Sequence, residues 1–559
     1  MRLCAARRGV YTPSAAAFDA GGAHRRPLPM PTPLRSILAV LGMALAARTA
    51  AAQAPEGPRF APGDTVLGRI WSVGMDSSQV ATLAQTLSDS IGPRLTGSPG
   101  QKAGVDWLLS RYKAWGVPAR AERYGTWRGW RRGVSHIDLV APRVRSLEGM
   151  MLAWSPGTNG RAVEAGTVLL PDLPDSAAYA RWMPTARGKM VLVSSLQPTC
   201  RPDSNWAQWA TPESFERLKR DRAASDSLWA ERLRRTGLSA RDLPVRLEAA
   251  GAAGVVTSLW SRGWGVTKIF QARTTRVPTV ELSCEDYGLV YRLTDRNQGP
   301  RLRVRADAEF TGEVPVFNAV AEIRGRELPN EYVVLSAHFD SWDGSSGSTD
   351  NATGTVTMLE AVRILRQVYP NPRRTILVGH WSGEEQGLNG SRAFAADHPE
   401  VVSGLQALFN QDNGTGRVAN ISMQGLSRAG MTVRGWLGRV PAEITRHITV
   451  VDPGAPSGGG SDNASFICAG APAFSLGSLS WDYGTYTWHT NRDTYDKIVL
   501  DDLRSNAVLT AMLTYMASED PQRVPRDRVV ALAPNPVTGA PQSWPACQKA
   551  ARSVGESTR

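Results

Sequence analysis

Cysteine is scarce in this 559-residue sequence, and no two of its five cysteines form a CxxC pair. A metal site built from thiolate ligands commonly uses such pairs, so none is expected. Cys4 lies in a segment with the character of a leader, which leaves an even set of four cysteines. Four cysteines allow three disulfide pairings, and the sequence does not choose among those of Cys200, Cys284, Cys468 and Cys547.

Three other patterns are missing as well. No run of about twenty apolar residues follows position 54, so no membrane span is expected in the mature chain. No basic run is interleaved with aromatic residues, which argues against nucleic acid as a partner. The net charge of +13 does not alter this, since the first 54 residues hold seven arginines and one aspartate. The stretch from Gly454 to Gly460 has neither Walker nor dinucleotide-binding spacing.

Residues Met30 to Ala54 have the pattern of a secretory signal peptide. Arg35 gives a positive start, Ile37 to Ala47 form an apolar core, and small residues near Ala52 offer cleavage sites. The apolar core is too short to cross a bilayer. We therefore predict a secreted or periplasmic chain, in a compartment where disulfides persist. The alternative is a disordered N-terminus with a chance apolar run.

Alternating apolar segments indicate an α/β fold. The run Val333 to Asp340 is rich in β-branched residues and predicts a buried parallel strand. Two further strands are predicted over Thr375 to Gly379 and Leu405 to Asn410. A helix is predicted over Ala352 to Tyr369, where Pro370 stops it. Strands that alternate with helices favour a mixed, mostly parallel central sheet flanked by helices.

A change of character near Ala141 divides the mature chain. Beyond it, short strands such as Val277 to Leu282 surround a small helix and predict a compact β-rich module. Within this module, Pro212 to Arg235 is dense in charge and predicts a solvated helical insert. The predicted divisions are a leader with signal peptide, a first part of the main domain, the module, the rest of the main domain and a tail, over residues 1–54, 55–140, 141–310, 311–518 and 519–559.

Each of the three central strands is followed by a side chain that can bind a metal ion. His338 and Asp340 end the first strand, Glu384 and Glu385 follow the second, and Asp412 follows the third. The carboxyl ends of parallel strands meet at one edge of a sheet, so these groups should lie close together. A histidine or an acidic residue alone more often caps a helix or forms a turn, but the combination favours a site.

Two more residues complete the predicted site. Asp350 lies in the loop after the first strand and can bridge two ions, and His489 supplies a second imidazole. The prediction is two zinc sites of three ligands each that share Asp350, formed by His338, Asp350, Glu385, Asp412 and His489. Glu384 would be the general base that takes a proton from water, and Asp340 would accept the other ring N–H of His338.

Five short motifs together resemble the co-catalytic di-zinc aminopeptidase family, in particular its plasma glutamate carboxypeptidase (carboxypeptidase Q) branch. They are Ser336–Trp342, Thr349–Asn351, Ser382–Gly387, Asn410–Asn413 and Trp488–Thr494. The resemblance covers about Gly74 to Ser518. It implies a zinc-exopeptidase-like three-layer sandwich, two zinc ions per chain and the residue roles given above. It also implies that residues 141–310 are an inserted protease-associated domain.

The sequence departs from the family at one motif, because many relatives carry Ser-Asp-His where this chain has Ser461-Asp462-Asn463. Asp462 is predicted to cap a helix, with a position in the pocket as the alternative. The aromatic residues near His489 are expected either to line a specificity pocket or to pack in the core. They are Trp481, Tyr483, Tyr486 and Trp488.

The function predicted from these patterns is that of a secreted zinc exopeptidase, either an aminopeptidase or a dipeptidase, with a peptide or dipeptide as its substrate. The alternatives are a carboxypeptidase acting on short peptides, a glutaminyl cyclase-like enzyme, and a receptor-like relative that has lost its metals. The sequence leaves open the preferred side chain, the role of the module and the oligomeric state, a dimer included.

Overall fold

The computed structural model describes residues 60, 64–534 and 538–557, so the predicted leader over residues 1–54 lies outside the described residues. The strands are β1 (Ala119–Ala141), β2 (Arg145–Ser146), β3 (Gly149–Met151), β4 (Val163–Leu169), β5 (Met190–Leu192), β6 (Gly254–Thr257), β7 (Thr279–Leu282), β8 (Arg301–Ile323), β9 (Leu328–His338), β10 (Arg374–Trp381), β11 (Leu405–Asn410), β12 (Val418–Ser422), β13 (Thr449–Val451) and β14 (Ala473–Ser478).

The α-helices are α1 (Thr65–Asp76), α2 (Val80–Gln85), α3 (Pro99–Ala114), α4 (Ser176–Trp182), α5 (Asp203–Trp209), α6 (Pro212–Thr236), α7 (Asp242–Ala249), α8 (Cys284–Asp295), α9 (Thr353–Val368), α10 (Asn389–Asp397), α11 (Pro399–Gly404), α12 (Ala429–Leu437), α13 (Ala442–Thr445), α14 (Ala464–Ile467), α15 (Leu500–Glu519) and α16 (Val554–Ser557). Shorter helical turns cover Thr86–Ile91, Met183–Ala186, Ser348–Ala352, Tyr483–Thr487 and Tyr495–Lys497.

The central sheet has the strand order β13-β12-β14-β11-β9-β10-β8. Its middle strands β14, β11, β9 and β10 are parallel, whereas β12 runs antiparallel to β14, and β8 runs antiparallel to β10. Helices α9 and α15 pack against each other and against β9 and β10, and α3 packs against β1 and β8. The predicted mixed, mostly parallel sheet flanked by helices is therefore confirmed.

The middle strand β9 shows why this part of the fold can be predicted from sequence. Val333, Val334 and Leu335 are fully buried, since β9 has a parallel neighbour on each side and is covered on both faces. Such strands need apolar residues at consecutive positions instead of alternate ones. The following helix, α9, ends one residue before Tyr369, and Pro370 prevents its continuation.

A long two-stranded ribbon leads away from the central sheet. Strand β1 pairs antiparallel with β8 from Ala119 opposite Ala321 to Ala141 opposite Arg301. The register shifts at four places along this ribbon, and such bulges bend and twist a strand pair. The far end of β8 pairs with β4, which starts a second run of strands in the order β4-β5-β6-β7-β3.

This second run of strands is the β-rich part of residues 141–310. Its strands β4, β5, β6 and β7 are parallel, and α6 is the charged helical insert that the sequence predicts. Thr211 caps α6 by accepting the backbone N–H of Ser214, and Gly237 ends it in a left-handed conformation. The described residues pack as one compact unit, and an inserted protease-associated domain stays a prediction.

Two disulfides fix the pairing that the sequence left open. Cys200 is bonded to Cys284, and Cys468 is bonded to Cys547. The second bond ties the largely irregular C-terminal tail to the main domain, and Trp544 adds hydrogen bonds from its indole N–H to the carbonyls of Ile467 and Cys468. No helix within the described ranges combines the length and apolar character needed to cross a membrane.

Candidate metal centre

The three predicted strand ends meet at one edge of the central sheet. Strand β9 lies between β10 and β11, and all three run parallel, so their carboxyl ends lie side by side. His338, the last residue of β9, has its Nε2 atom 3.1 Å from Asp412 Oδ1 and 3.4 Å from Asp350 Oδ1. The side chains that the sequence predicts to gather at this edge are therefore in contact.

A second group forms around His489. Its Nε2 atom lies 3.0 Å from Glu385 Oε2 and 3.2 Å from Asp350 Oδ2. Two trios of possible ligands result, His338 with Asp350 and Asp412, and Asp350 with Glu385 and His489. Within each trio the ligand atoms lie within 4.8 Å of one another, and the two trios share Asp350.

The chemistry of these trios suits divalent cations. Imidazole nitrogens and carboxylate oxygens are the usual zinc ligands, and three protein ligands leave a coordination position open. Glu385 Oε1 is a buried atom that accepts no hydrogen bond from the described residues. Buried carboxylate oxygens without partners are costly unless positive charge compensates them. The donor set therefore fits a pair of zinc ions.

The electrostatics of the two imidazoles agree with this fit. Burial opposes a charge on His338, but the nearby Asp412 and Glu384 carboxylates outweigh it and raise the pKa of His338 well above its usual value. Burial likewise opposes a charge on His489, yet Glu385 and Asp350 raise its pKa to about 10. Both imidazoles thus lie in an excess of negative charge, the environment that attracts divalent cations.

Two glycines aim the acidic residues into the site. Gly383 precedes the glutamate pair with φ 68°, and Gly347 precedes Asp350 with φ 60°, a region that favours glycine. A Cβ atom at Gly383 would lie 2.5 Å from the hydroxyl oxygen of Tyr124. Any side chain at this position would therefore clash with Tyr124, and either the tyrosine ring or the turn that carries Glu384 would have to shift.

Asp340 lies beside His338 and also contacts the glutamate pair. The Nδ1 atom of His338 lies 3.0 Å from the backbone oxygen of Asp340 and 3.5 Å from its carboxylate Oδ1, so the closer acceptor is the carbonyl. The carboxylate instead accepts the backbone N–H groups of Glu384 and Glu385, at 3.3 and 3.4 Å. Asp340 therefore orients His338 through its backbone and the glutamate pair through its side chain.

Two residues that position the site were not singled out by the sequence analysis. The Asp493 carboxylate accepts the backbone N–H groups of Thr349 and Asp350. The fully buried Arg94 donates to the carbonyls of Ser346 and Gly347, in the loop that leads to Asp350, and to the carbonyl of Gly92. Asp493 stands within the last of the five motifs, which was the signal available for it.

The expected cap by Asp462 is wrong. Helix α14 begins at Ala464 after Asn463, and no side chain caps it. Asp462 is instead fully buried near His338 and Asp412, and burial raises the pKa of its carboxyl to about 7. Asp462 thus interacts electrostatically with His338, although it is not among the residues that line the adjoining cavity.

A cleft of about 430 Å³ opens over the two trios. Glu384 lines it together with Tyr483 and Trp488, two of the four aromatic residues singled out in the sequence. The other two, Trp481 and Tyr486, line an adjacent cavity. The cleft thus combines metal-binding groups, the predicted base and aromatic surface, the mixture typical of a small-ligand site.

A segment of the β-rich module holds the loop that carries His489. The backbone N–H of Ile269 donates to the carbonyl of His489 at 2.8 Å, and that of Asn491 donates to Thr267. The rings of Phe270 and His489 pack edge to face, with their centroids 5.1 Å apart. The position of His489 therefore depends on residues from both parts of the chain.

Comparison with known proteins agrees with this geometry. Residues 318–514 match the model of Peptidase family M28. Carboxypeptidase Q of Homo sapiens is 24% identical over 447 residues, covering 79% of this chain and 85% of that protein, and the Bos taurus protein is 23% identical over 450 residues with the same coverage.

Solved structures share the fold. A peptidase M28 precursor from Shewanella amazonensis SB2B gives a TM-score of 0.62 at 22% identity, covering 82% of this chain and 97% of that chain. BSAP, a zinc aminopeptidase from Bacillus subtilis, gives 0.51 at 18% identity, covering 81% and 97%. The match over residues 318–514, the relatives along most of the chain and the common fold are those of a metallopeptidase similar to peptidase family M28.

Proposed function

We propose that this chain is a secreted zinc-dependent exopeptidase that removes terminal residues from short peptides or splits dipeptides. The observation that carries the proposal is the pair of ligand trios sharing Asp350, with Glu384 beside them in the same cleft. The names of similar proteins support the class, since they include carboxypeptidase Q and a zinc aminopeptidase.

Each residue of the centre has a proposed role. His338, Asp350 and Asp412 would hold one zinc ion, and Asp350, Glu385 and His489 would hold the other. Zinc bound there would polarise the scissile carbonyl and lower the pKa of a nucleophilic water. The aromatic faces of Tyr483 and Trp488 would orient the peptide in the cleft.

Glu384 is the proposed general base. Its carboxyl lines the cleft, and burial raises its pKa well above the usual value, an effect that the neighbouring Asp412 and Glu385 reinforce. A carboxylate with a raised pKa can accept the proton of the attacking water and then deliver it to the leaving amine. Asp340 supports this role by fixing the backbone on which Glu384 is carried.

Secretion and the domain organisation are part of the same proposal. Two disulfides in the described residues support an oxidising compartment, as does the signal-like pattern of Met30 to Ala54. The pairing of β1 with β8 supports an insertion, because residues 142–300 enter and leave along the two strands of one ribbon.

The test is metal content together with hydrolysis. The zinc-loaded protein should contain two zinc ions per chain and release the amine from aminoacyl chromogenic substrates or dipeptides in an EDTA-sensitive manner. Glu384→Gln should lower kcat by about 10²–10⁴-fold while both ions stay bound. Glu400→Gln, a change of an exposed glutamate outside the cleft, is the matched control.

Hydrolysis by the Glu384→Gln protein at the wild-type rate would reject the assigned base. Zinc-supplemented protein that binds no metal would reject the centre itself and favour a receptor-like relative.

A further inference from the structure

A short C-terminal segment packs against the turn that carries the glutamate pair. Residues 547–556, here called the C-terminal arm, lie beyond residues 318–514, the stretch that matches the family model. Cys547, the first residue of the arm, is bonded to Cys468. The arm contains only one short helix, so its contacts with the rest of the chain define its course.

Arg552 attaches the arm to strand β1. Its carbonyl accepts the backbone N–H of Thr126 at 2.9 Å, and its guanidinium group donates to the carbonyl of Tyr124 at 3.2 Å and to the carboxylate of Asp397 at 2.7 Å. The register of β1 shifts immediately before Gly125, and the extra residue of such a bulge is left out of the strand pairing. A Cβ atom at Gly125 would collide with the carbonyl of Arg552. The arm therefore lies directly on this bulge.

Tyr124 connects this attachment to the start of the turn. Its side chain is buried, and its hydroxyl oxygen lies 3.4 Å from Ser382 Oγ. The same oxygen occupies the space that a Cβ atom at Gly383 would need. Ser382 and Gly383 directly precede Glu384. The residue that Arg552 contacts thus packs against the backbone leading to the proposed base.

Asn389 connects the arm to the end of the same turn. The backbone N–H of Ala551 donates to Asn389 Oδ1 at 2.9 Å. The side-chain N–H of Asn389 donates to the carbonyl of Gln386 at 3.2 Å, and its backbone N–H donates to the carbonyl of Gly383 at 3.0 Å. Asn389 is buried, and buried polar groups need such partners. One side chain therefore contacts both the arm and the turn.

The disulfide fixes the arm next to these contacts. Cys468 directly follows α14, and Ser465 of α14 shares a hydrogen bond of 2.8 Å with Ser391 of α10, the helix that begins at the end of the turn. Only three residues separate Cys547 from Ala551. The bond therefore restricts where the N–H of Ala551 can lie.

We infer that the C-terminal arm positions the glutamate pair, so that loss of the bond between Cys468 and Cys547 loosens the turn, slows hydrolysis and weakens binding of the metal ion at Glu385. The inference rests on the proposed function. Asn389 and Arg552 are positioning residues, since neither lines the cleft. A displacement of about 1 Å in a catalytic group can cost about 10²-fold in rate, and loss of a group that orients a metal ligand costs about 10–100-fold in affinity.

The first test compares two disulfide variants of the full-length protein. Cys468→Ser/Cys547→Ser releases the arm. The matched control, Cys200→Ser/Cys284→Ser, removes a bond of similar sequence separation, 84 against 79 residues. Both variants lose the stabilisation that a disulfide gives, but only the first should lower kcat for dipeptides or aminoacyl substrates, by about 10–100-fold with KM changed less than about threefold. Equal losses of kcat in the two variants would overturn the inference.

A second variant leaves both disulfides in place. Arg552→Ala removes the hydrogen bond to Tyr124 and the ion pair with Asp397, and it should lower kcat by about tenfold. Arg428→Ala, which removes an exposed ion pair with Asp527, is the matched control. An Arg552→Ala protein with the same kcat as this control would contradict the inference.

Hydrogen exchange keeps the inference separate from the proposed function. The amides of Gly387, Leu388 and Asn389 donate to carbonyls within the turn, so their exchange reports how firmly it is held, whether or not the protein hydrolyses peptides. Without substrate, they should exchange about tenfold faster in Cys468→Ser/Cys547→Ser than in the wild type, and at the wild-type rate in the disulfide control.

Zinc affinity, measured by competition with a chelator, should fall about 10–100-fold in the same variant. Faster exchange and weaker zinc binding in a protein whose wild type hydrolyses no peptide would reject the proposed function and support the positioning role of the arm. Unchanged exchange and unchanged zinc affinity would overturn that role even if peptide hydrolysis is found.

Discussion

The Asp493 carboxylate accepts the backbone N–H of Asp350 at 3.0 Å, and so connects the loop of one proposed histidine ligand to the proposed bridging carboxylate. A second hydrogen bond, from the backbone N–H of Thr349 at 2.7 Å, fixes the direction of the same loop. His489 lies four residues before Asp493. The segment from His489 to Asp493 therefore supplies one possible ligand, His489, and also sets the position of another, Asp350.

Asp493→Ala should weaken zinc binding about 10–100-fold, the usual effect of losing a residue that orients a ligand. The reason is that the N–H groups of Thr349 and Asp350 lose their acceptor and the loop can turn away from His489. Competition with a chromogenic chelator measures the affinity of each ion. Asp496→Ala, at an exposed position of the same segment, is the control, and an equal effect of the two changes would contradict the role of Asp493.

Metal stoichiometry should separate the shared ligand from the others. Asp412→Ala and Glu385→Ala each remove one member of one trio, so each protein should keep about one zinc ion per chain. Asp350→Ala removes the common member, and that protein should keep neither ion tightly. Elemental analysis after dialysis against buffered zinc gives the counts. Retention of two ions by the Asp350→Ala protein would exclude a bridging role.

Reduction of the disulfides should lower the stability of the protein. Cys200 and Cys284 are 84 residues apart in the sequence, and the bond between them restricts the unfolded chain. Cys200→Ser/Cys284→Ser is therefore expected to lower the free energy of unfolding by about 2–5 kcal/mol. Urea denaturation with and without a thiol reductant measures the change. A reductant should have a smaller effect on this variant than on the wild type, since one bond is already absent.

Glu281 should make stability depend on pH. It is fully buried in β7, accepts hydrogen bonds from Thr257 and from the backbone of Leu259, and has a pKa that burial raises from 4.5 to about 8 against the influence of Lys268. A carboxyl with a raised pKa binds more protons in the folded state than in the unfolded state. Its contribution to stability is therefore present below pH 4.5 and falls as the pH rises to about 8.

Glu281→Gln should remove this part of the pH dependence, because the amide cannot ionise. Compared with the wild type, the variant should lose less free energy of unfolding between pH 5.5 and pH 8. Urea denaturation of both proteins at the two pH values tests this, since all other titrating groups are common to them. Parallel stability profiles would contradict the raised pKa.

The central sheet and the proposed ligands could be predicted from the sequence because local patterns specify them. Residues 405–410 form a strand with the predicted bounds, and the ends of β9, β10 and β11 meet because parallel neighbours must end at one edge. This rule alone predicts that His338 and Asp412 lie close together.

The long ribbon of β1 and β8 was largely missed by the sequence analysis. Its residues alternate between charged and aromatic types with glycines between them, and their strand conformation depends on pairing with a segment about 180 residues away.

The hydrogen bond from Ile269 to the carbonyl of His489 should make metal loading and the packing of the Ile269 segment against the His489 loop thermodynamically reciprocal. A cation that binds more tightly when the hydrogen bond from Ile269 to His489 is formed must stabilise that hydrogen bond by the same free energy. Zinc should therefore slow amide hydrogen exchange around Ile269, in a part of the chain that supplies none of the five proposed ligands.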